Sequence, residues 1–194
     1  MKNANDSKIV SIKGEITAKF WKQNNPLLRK WNNVVEVLIK NCPSKRDWLL
    51  KNFYSIGELV RTDKKTNIIC NAGLARVTGG LADDLALTNI NKMLLGDATG
   101  ATAVTRTTLY NEVYRNSTAS ATHADNIVYA TAYFTQTEVV DTFQEFGNVI
   151  AGDAWGAGAG KDTGYLWSHI TGLTWVKDNV TTLTVDCKYT FASI

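Results

Sequence analysis

His123 and His169 are the only imidazoles in the chain, so any histidine-centred triad or metal cluster must be built on one of them. Neither has a metal-ligating residue type at i+3 or i+4, and the acid nearest His123, Asp125, falls in an expected turn. Both therefore read as ordinary surface or strand residues. Glu112, Glu138, Asp141 and Glu145 are the acids that could form a pair, since two carboxyl groups a few ångströms apart can cleave a glycosidic bond. Their spacing is equally that of solvated strand ends, and no fuller catalytic constellation accompanies them, so an enzyme is not expected. Gly156-Ala157-Gly158-Ala159-Gly160-Lys161-Asp162 has the look of a phosphate-binding loop. It lacks the required Gly and Ser/Thr, because Trp155 and Asp162 stand in those places, and it reads as a flexible loop.

The remaining chemistry is aromatic. Trp155, Trp167 and Trp175 cluster with Tyr165 around the loops of the C-terminal part. Such rings can stack on sugars or bases, or anchor a protein interface. Strand alternation assigns two of the three tryptophans to the core, and Trp155, Tyr165 and Trp167 stand as the candidate binding or interface residues. Cys42, Cys70 and Cys187 are too few and too far apart for a disulfide framework or a zinc site. They are expected to be buried thiols, as suits a reducing compartment. No cofactor or small-molecule substrate is implied.

The elements that must position these residues come from 194 residues, 44% of them hydrophobic, enough for one sizeable core. The charge is lopsided. Residues 1–66 carry 14 Lys/Arg against 6 Asp/Glu, or +8, and residues 67–194 carry 7 against 12, or −5, which together restore the net +3. The basic front suits an acidic partner, or merely solvates helices, while the acidic rear disfavours nucleic-acid binding. No apolar run is long enough to cross a bilayer, and the N-terminus lacks the apolar stretch of a secretion signal, so cytoplasmic synthesis without membrane association is expected.

Val10, Ile12, Ile16, Ala18 and Phe20 alternate with polar residues and predict a half-buried strand. Asn25 and Pro26 form a helix start, and Leu27, Trp31, Val34, Val35 and Leu38 recur at helical spacing up to a stop at residues 41–43. Ser44 is a candidate cap for a second short helix through Trp48, Leu49 and Leu50. Residues 62–66 read as a polar break, and residues 68–74 as a helix or strand-to-helix segment stopping at Gly79-Gly80. Strands are expected over 90–95, 127–135, 143–150, 165–171 and 173–177, a helical stretch over 108–115, and loops over 96–105 and 152–164. Leu183, Val185, Cys187, Tyr189 and Phe191 alternate with polar residues in a closing strand. The expected fold is mainly β with a helical N-terminal part: an antiparallel β-sandwich, jelly-roll or Ig-like, with one or two helices. A basic strand-plus-helix region over 1–66 would precede a sandwich module over 67–194.

From Asn67 onward the chain resembles a family of bacteriophage and prophage virion proteins found among tail, neck or fibre genes. The residues that carry the resemblance are Asn67-Ile68-Ile69-Cys70-Asn71-Ala72-Gly73, Met93-Leu94-Leu95-Gly96 with Thr99-Gly100-Ala101-Thr102, Thr108 to Arg115, Phe143-Gln144-Glu145-Phe146-Gly147, and Val176-Lys177 before the closing strand. The resemblance implies a β-sandwich attachment or decoration module assembling with copies of itself and with other virion proteins, located in the virion, and it carries no catalytic residues. The alternative it leaves is a receptor- or glycan-binding module of a fibre or tail, using Trp155, Tyr165 and Trp167. Two departures stand out: a longer loop over 152–164 and a helical insertion over 22–55, where particle-specific contacts would lie.

Overall fold

A computed structural model describes residues 10–82, 89–155 and 160–193. The two clearest alternating segments, β1 (Val10–Lys22) and β9 (Thr181–Ser193), pair antiparallel along their full lengths, from Val10 opposite Ser193 to Lys22 opposite Thr181. Register is fixed because a one-residue slip would turn Ile16, Ala18 and Phe20 out of the core together with Leu183, Val185 and Cys187. Between them in sequence come α1 (Pro26–Asn41), a 3₁₀ turn (Pro43–Lys45), α2 (Arg46–Phe53), β2 (Glu58–Ile69), α3 (Asn71–Leu81), β3 (Ile90–Gly96), β4 (Glu112–Ser117), β5 (Ser120–Ala124), β6 (Ile127–Phe134), β7 (Asp141–Ile150) and β8 (Tyr165–Lys177).

Mainly β architecture is as expected, but the expected pair of stacked sheets is replaced by a single antiparallel sheet of nine strands among the described residues. Its order is β4-β3-β7-β8-β2-β1-β9-β6-β5, curled into a half-barrel. The physical reason is a short junction at each turning point. β2 stays hydrogen-bonded to β8 at Ile68 and Ile69 while its remainder follows β1, so the two flanks never separate. Across the open side, Thr118 and Ala119 carry the chain directly from edge strand β4 to edge strand β5: the Thr118 N–H bonds to Asn91 O and the Ala119 N–H to Thr131 O.

The flanks close over one core. Trp175 is fully buried, edge-on to Phe20 at 6.2 Å and tilted against Phe146 at 5.8 Å, while Trp167 meets Tyr189 edge-on at 5.6 Å. At the centre of this apolar layer the Tyr189 hydroxyl contacts Asn148 Nδ2 at 2.5 Å, Ser168 Oγ at 2.8 Å and Asn67 Nδ2 at 3.3 Å. Burial pushes that phenol well above its ordinary value. This buried cluster, in which Asn67 Oδ1 alone is left without a partner, fixes how the two flanks face each other.

Several local expectations change. Residues 62–66 belong to β2, which is polar there because it is largely solvent-exposed on both sides. The stretch 108–115 is irregular and then β4; Leu109 and Val113, four apart, do not share a helix face, since Leu109 packs on the outer surface with Leu94, Val149 and Leu166. Ser44 sits in the 3₁₀ turn and caps nothing; α2 starts after Lys45 without a side-chain cap. Residues 165–177 form one continuous strand, and a third helix, α3, follows β2. Cys70 and Cys187 are buried free thiols as expected, but Cys42 is exposed because it ends α1. Position 66 lies within β2.

Candidate docking surface

α1 begins as its sequence requires. The Asn25 carboxamide oxygen accepts from the Leu27 and Leu28 N–H groups at 2.9 and 3.4 Å, and Pro26 takes the first helical position. The side that faces the rest of the molecule carries Asn32, Val35 and Glu36, two of them polar. Asn32 and Ser55 clamp each other: Asn32 Nδ2 donates to Ser55 O at 2.7 Å, and the Ser55 N–H donates to Asn32 Oδ1 at 2.9 Å. Glu36 accepts from the Tyr54 hydroxyl at 2.9 Å and from the Thr137 hydroxyl, and Tyr54 in turn accepts the Gln136 N–H. Burial raises the Tyr54 phenol well above its ordinary value, so it stays protonated as a donor to Glu36. Arg46 of α2 completes the attachment by donating to Tyr133 O at 2.9 Å and pairing with Glu138.

With its polar side turned inward, α1 presents its apolar stripe outward. Leu27, Trp31, Val34 and Leu38 are 74, 46, 50 and 46% exposed. Beside them Trp48 and Phe53 of α2 pack edge-on at 5.2 Å and are also exposed, and Trp31 Nε1 donates to Phe53 O at 2.8 Å, tying the two helices together. A contiguous apolar surface of this kind marks an interaction site on a folded protein. α1 and α2 together thus carry the largest group of exposed apolar side chains on any pair of adjacent described elements. Trp48 was read from sequence only as part of the short second helix, and Phe53 was not named; neither was a candidate site residue.

Of the four acids nominated for chemistry, Glu112, Glu138 and Glu145 are tied into hydrogen bonds and ion pairs. Glu112 and Glu145 both lie opposite Gly96, on either side of β3. Each is buried and occupied. Glu145 accepts from the Tyr110 and Asn111 N–H groups at 2.9 and 2.8 Å and lies 3.1 Å from His169 Nε2. Burial would raise its carboxyl, but the bonds from His169 and these two amides outweigh that and hold it below the usual range. Glu112 pairs with Arg115, both side chains having no solvent exposure, and it also accepts the Asp162 N–H. Arg115 reaches on to Thr163 and Asp153, so this pair fastens the ends of the 152–164 loop to the sheet. Glu138 is held by Arg46, Asn116 and the Thr135 N–H, whereas Asp141 is exposed at the start of β7.

Of the aromatic candidates, Trp167 is buried against Tyr189 and Phe191. Trp155 and Tyr165 remain partly exposed, Trp155 tilted on Tyr114 and Tyr165 beneath the Arg76 guanidinium. His123 lies on exposed β5, far from the environment of buried His169. Among the described residues no group of three His, Cys, Asp or Glu is placed to hold a metal ion, and no helix is long and apolar enough to cross a membrane. Protein-family models, characterised proteins and solved structures were all compared with the chain, and none matches it.

Proposed function

We propose that the chain is a structural component of a bacteriophage virion, a neck, tail or capsid-surface attachment or decoration protein that assembles through protein–protein contacts. The observation that carries the reading is the outward apolar stripe of α1 with Trp48 and Phe53 of α2, a surface that water disfavours and a partner would cover. Two further features support it. Three of the four nominated acids, Glu112, Glu138 and Glu145, accept hydrogen bonds that tie loops to the sheet, a positional role that suits a structural part. The segments that resemble phage virion proteins lie on or beside β2–α3, β3, β4, β7 and β8, which are neighbours in one half of the sheet. Mass spectrometry with copy counting on purified particles of the encoding phage tests the reading. Many copies per particle are expected, and absence from mature particles overturns it.

A receptor- or glycan-binding role draws on the partly exposed rings of Trp155 and Tyr165. Glycan-array binding abolished by Trp155→Ala would favour that role over assembly.

A further inference from the structure

We infer that the occupant of the α1 stripe is an amphipathic helix of a neighbouring protein whose own apolar seam is flanked by acidic residues; this rests on the reading of α1–α2 as an assembly surface. The spacing of Leu27, Trp31, Val34 and Leu38 is four, three, four. At 3.6 residues per turn these side chains fall within an arc of about 60°. Exposed Leu28 and Val37 border this seam and widen the apolar face, and the heptad-like spacing at its centre is the pattern that packs against another helix. From Leu27 to Leu38 the seam runs about 16 Å at 1.5 Å per residue, the length of three helical turns on the partner.

Charge selects the partner's composition. Residues 26–53 hold six Lys/Arg (Arg29, Lys30, Lys40, Lys45, Arg46, Lys51) and two acids (Glu36, Asp47), a balance of +4. Glu36 is buried in its bonds to Tyr54 and Thr137, and Asp47 is beside Arg46. Lys30, Lys40, Lys45 and Lys51 are exposed, and among the described residues none of them forms an ion pair. Two copies of the chain packed about a two-fold axis would bring the same lysines together, which opposes self-pairing through this face. Acidic flanks on the incoming helix meet them favourably and set its register.

The test uses two synthetic helical peptides of fourteen residues (~14, three to four turns), with leucines at the same four-three-four spacing and either glutamate or lysine flanks. Binding to the full chain is read by fluorescence anisotropy. The acidic peptide is expected to bind at least about ten-fold tighter than the basic one, with a preference that shrinks as salt rises. Leu27→Ser with Leu38→Ser should weaken it by roughly ten-fold or more. Lys30→Glu with Lys40→Glu, checked for an unchanged melting temperature, brings the balance of residues 26–53 to zero and should abolish the preference. Equal affinity of the unsubstituted chain for both peptides, or a preference untouched by the two lysine substitutions, overturns the inference. So does tighter binding to phosphatidylglycerol vesicles, or a dimer in sedimentation that the leucine changes dissolve. If the peptides fail to discriminate while the leucine variant is lost from particles, the occupant is wrong and the assembly reading survives. If the peptides discriminate but the chain is absent from particles, the reverse holds.

Discussion

Replacing Arg115 by methionine removes one member of a buried ion pair and leaves the other in place. Arg115 is 1% exposed, and its guanidinium holds both Glu112 oxygens, with Nη2 to Oε2 at 2.6 Å, while Nη1 reaches Thr163 Oγ1 at 2.8 Å and Thr163 O at 3.2 Å. After the substitution the Glu112 carboxylate keeps only the Asp162 N–H, at 3.1 Å, inside a region without solvent. Breaking a buried pair from one side costs about 3–5 kcal/mol, because the orphaned charge stays desolvated. For a chain of this size that lowers the melting temperature by roughly 6–20 °C. Denaturant unfolding of Arg115→Met, Glu112→Gln and the double variant supplies the cycle: the double variant should recover most of the loss of Arg115→Met. Limited proteolysis should find the 152–164 loop cut faster in Arg115→Met, because its tethers at Asp153 and Thr163 are gone. A loss below about 1 kcal/mol, the range of an exposed pair, or a double variant as damaged as the sum of the singles, would refute the argument.

Gly14→Ala should destabilise the chain by about 1–3 kcal/mol, since a Cβ there overlaps the Asn67 carboxamide and lies 3.1 Å from the Tyr189 ring; denaturant unfolding measures it. Lys177 is buried with its ammonium donating to the Gln136, Glu138 and Val139 carbonyls, and burial pulls it down from 10.5 to about 8. Between those two values the unfolded chain binds more protons than the native one, so stability should rise with pH from about 8 to 10.5, by about 3 kcal/mol; calorimetry across that window should lose the rise in Lys177→Met. Ellman's reagent should label Cys42 at once but reach Cys70 and Cys187, whose thiols burial pushes up to about 11 and about 12, only on unfolding. Leu27→Ser should change stability by less than about 0.5 kcal/mol by the same unfolding assay, because the side chain is already in water.

What could be read in advance was whatever depends on neighbours in sequence. The alternation through Val10–Phe20 and Leu183–Phe191 places both strands and their inward faces, and Asn25-Pro26 places the start of α1. β2 was hidden because the positions opposite inward-facing Ile16, Ala18 and Phe20 are Lys65, Asp63 and Arg61, so its inner side is polar and shows no apolar alternation. β4 was hidden because Leu109 and Val113 mimic a helix turn while serving different surfaces. The single curled sheet, in place of two stacked ones, depends on the two-pair junction of β2 with β8, a contact about a hundred residues long-range. The apolar stripe of α1 was visible in its spacing, but its outward direction was not. That direction is set by Asn32 and Glu36, polar residues buried because Ser55, Tyr54 and Thr137 satisfy them.

The decisive measurement is the number of chains per purified particle for the wild type and for Leu27→Asp with Leu38→Asp, at equal expression and equal melting temperature. Assembly through the outward face of α1 predicts particles nearly devoid of the variant. Incorporation at the wild-type copy number would contradict it.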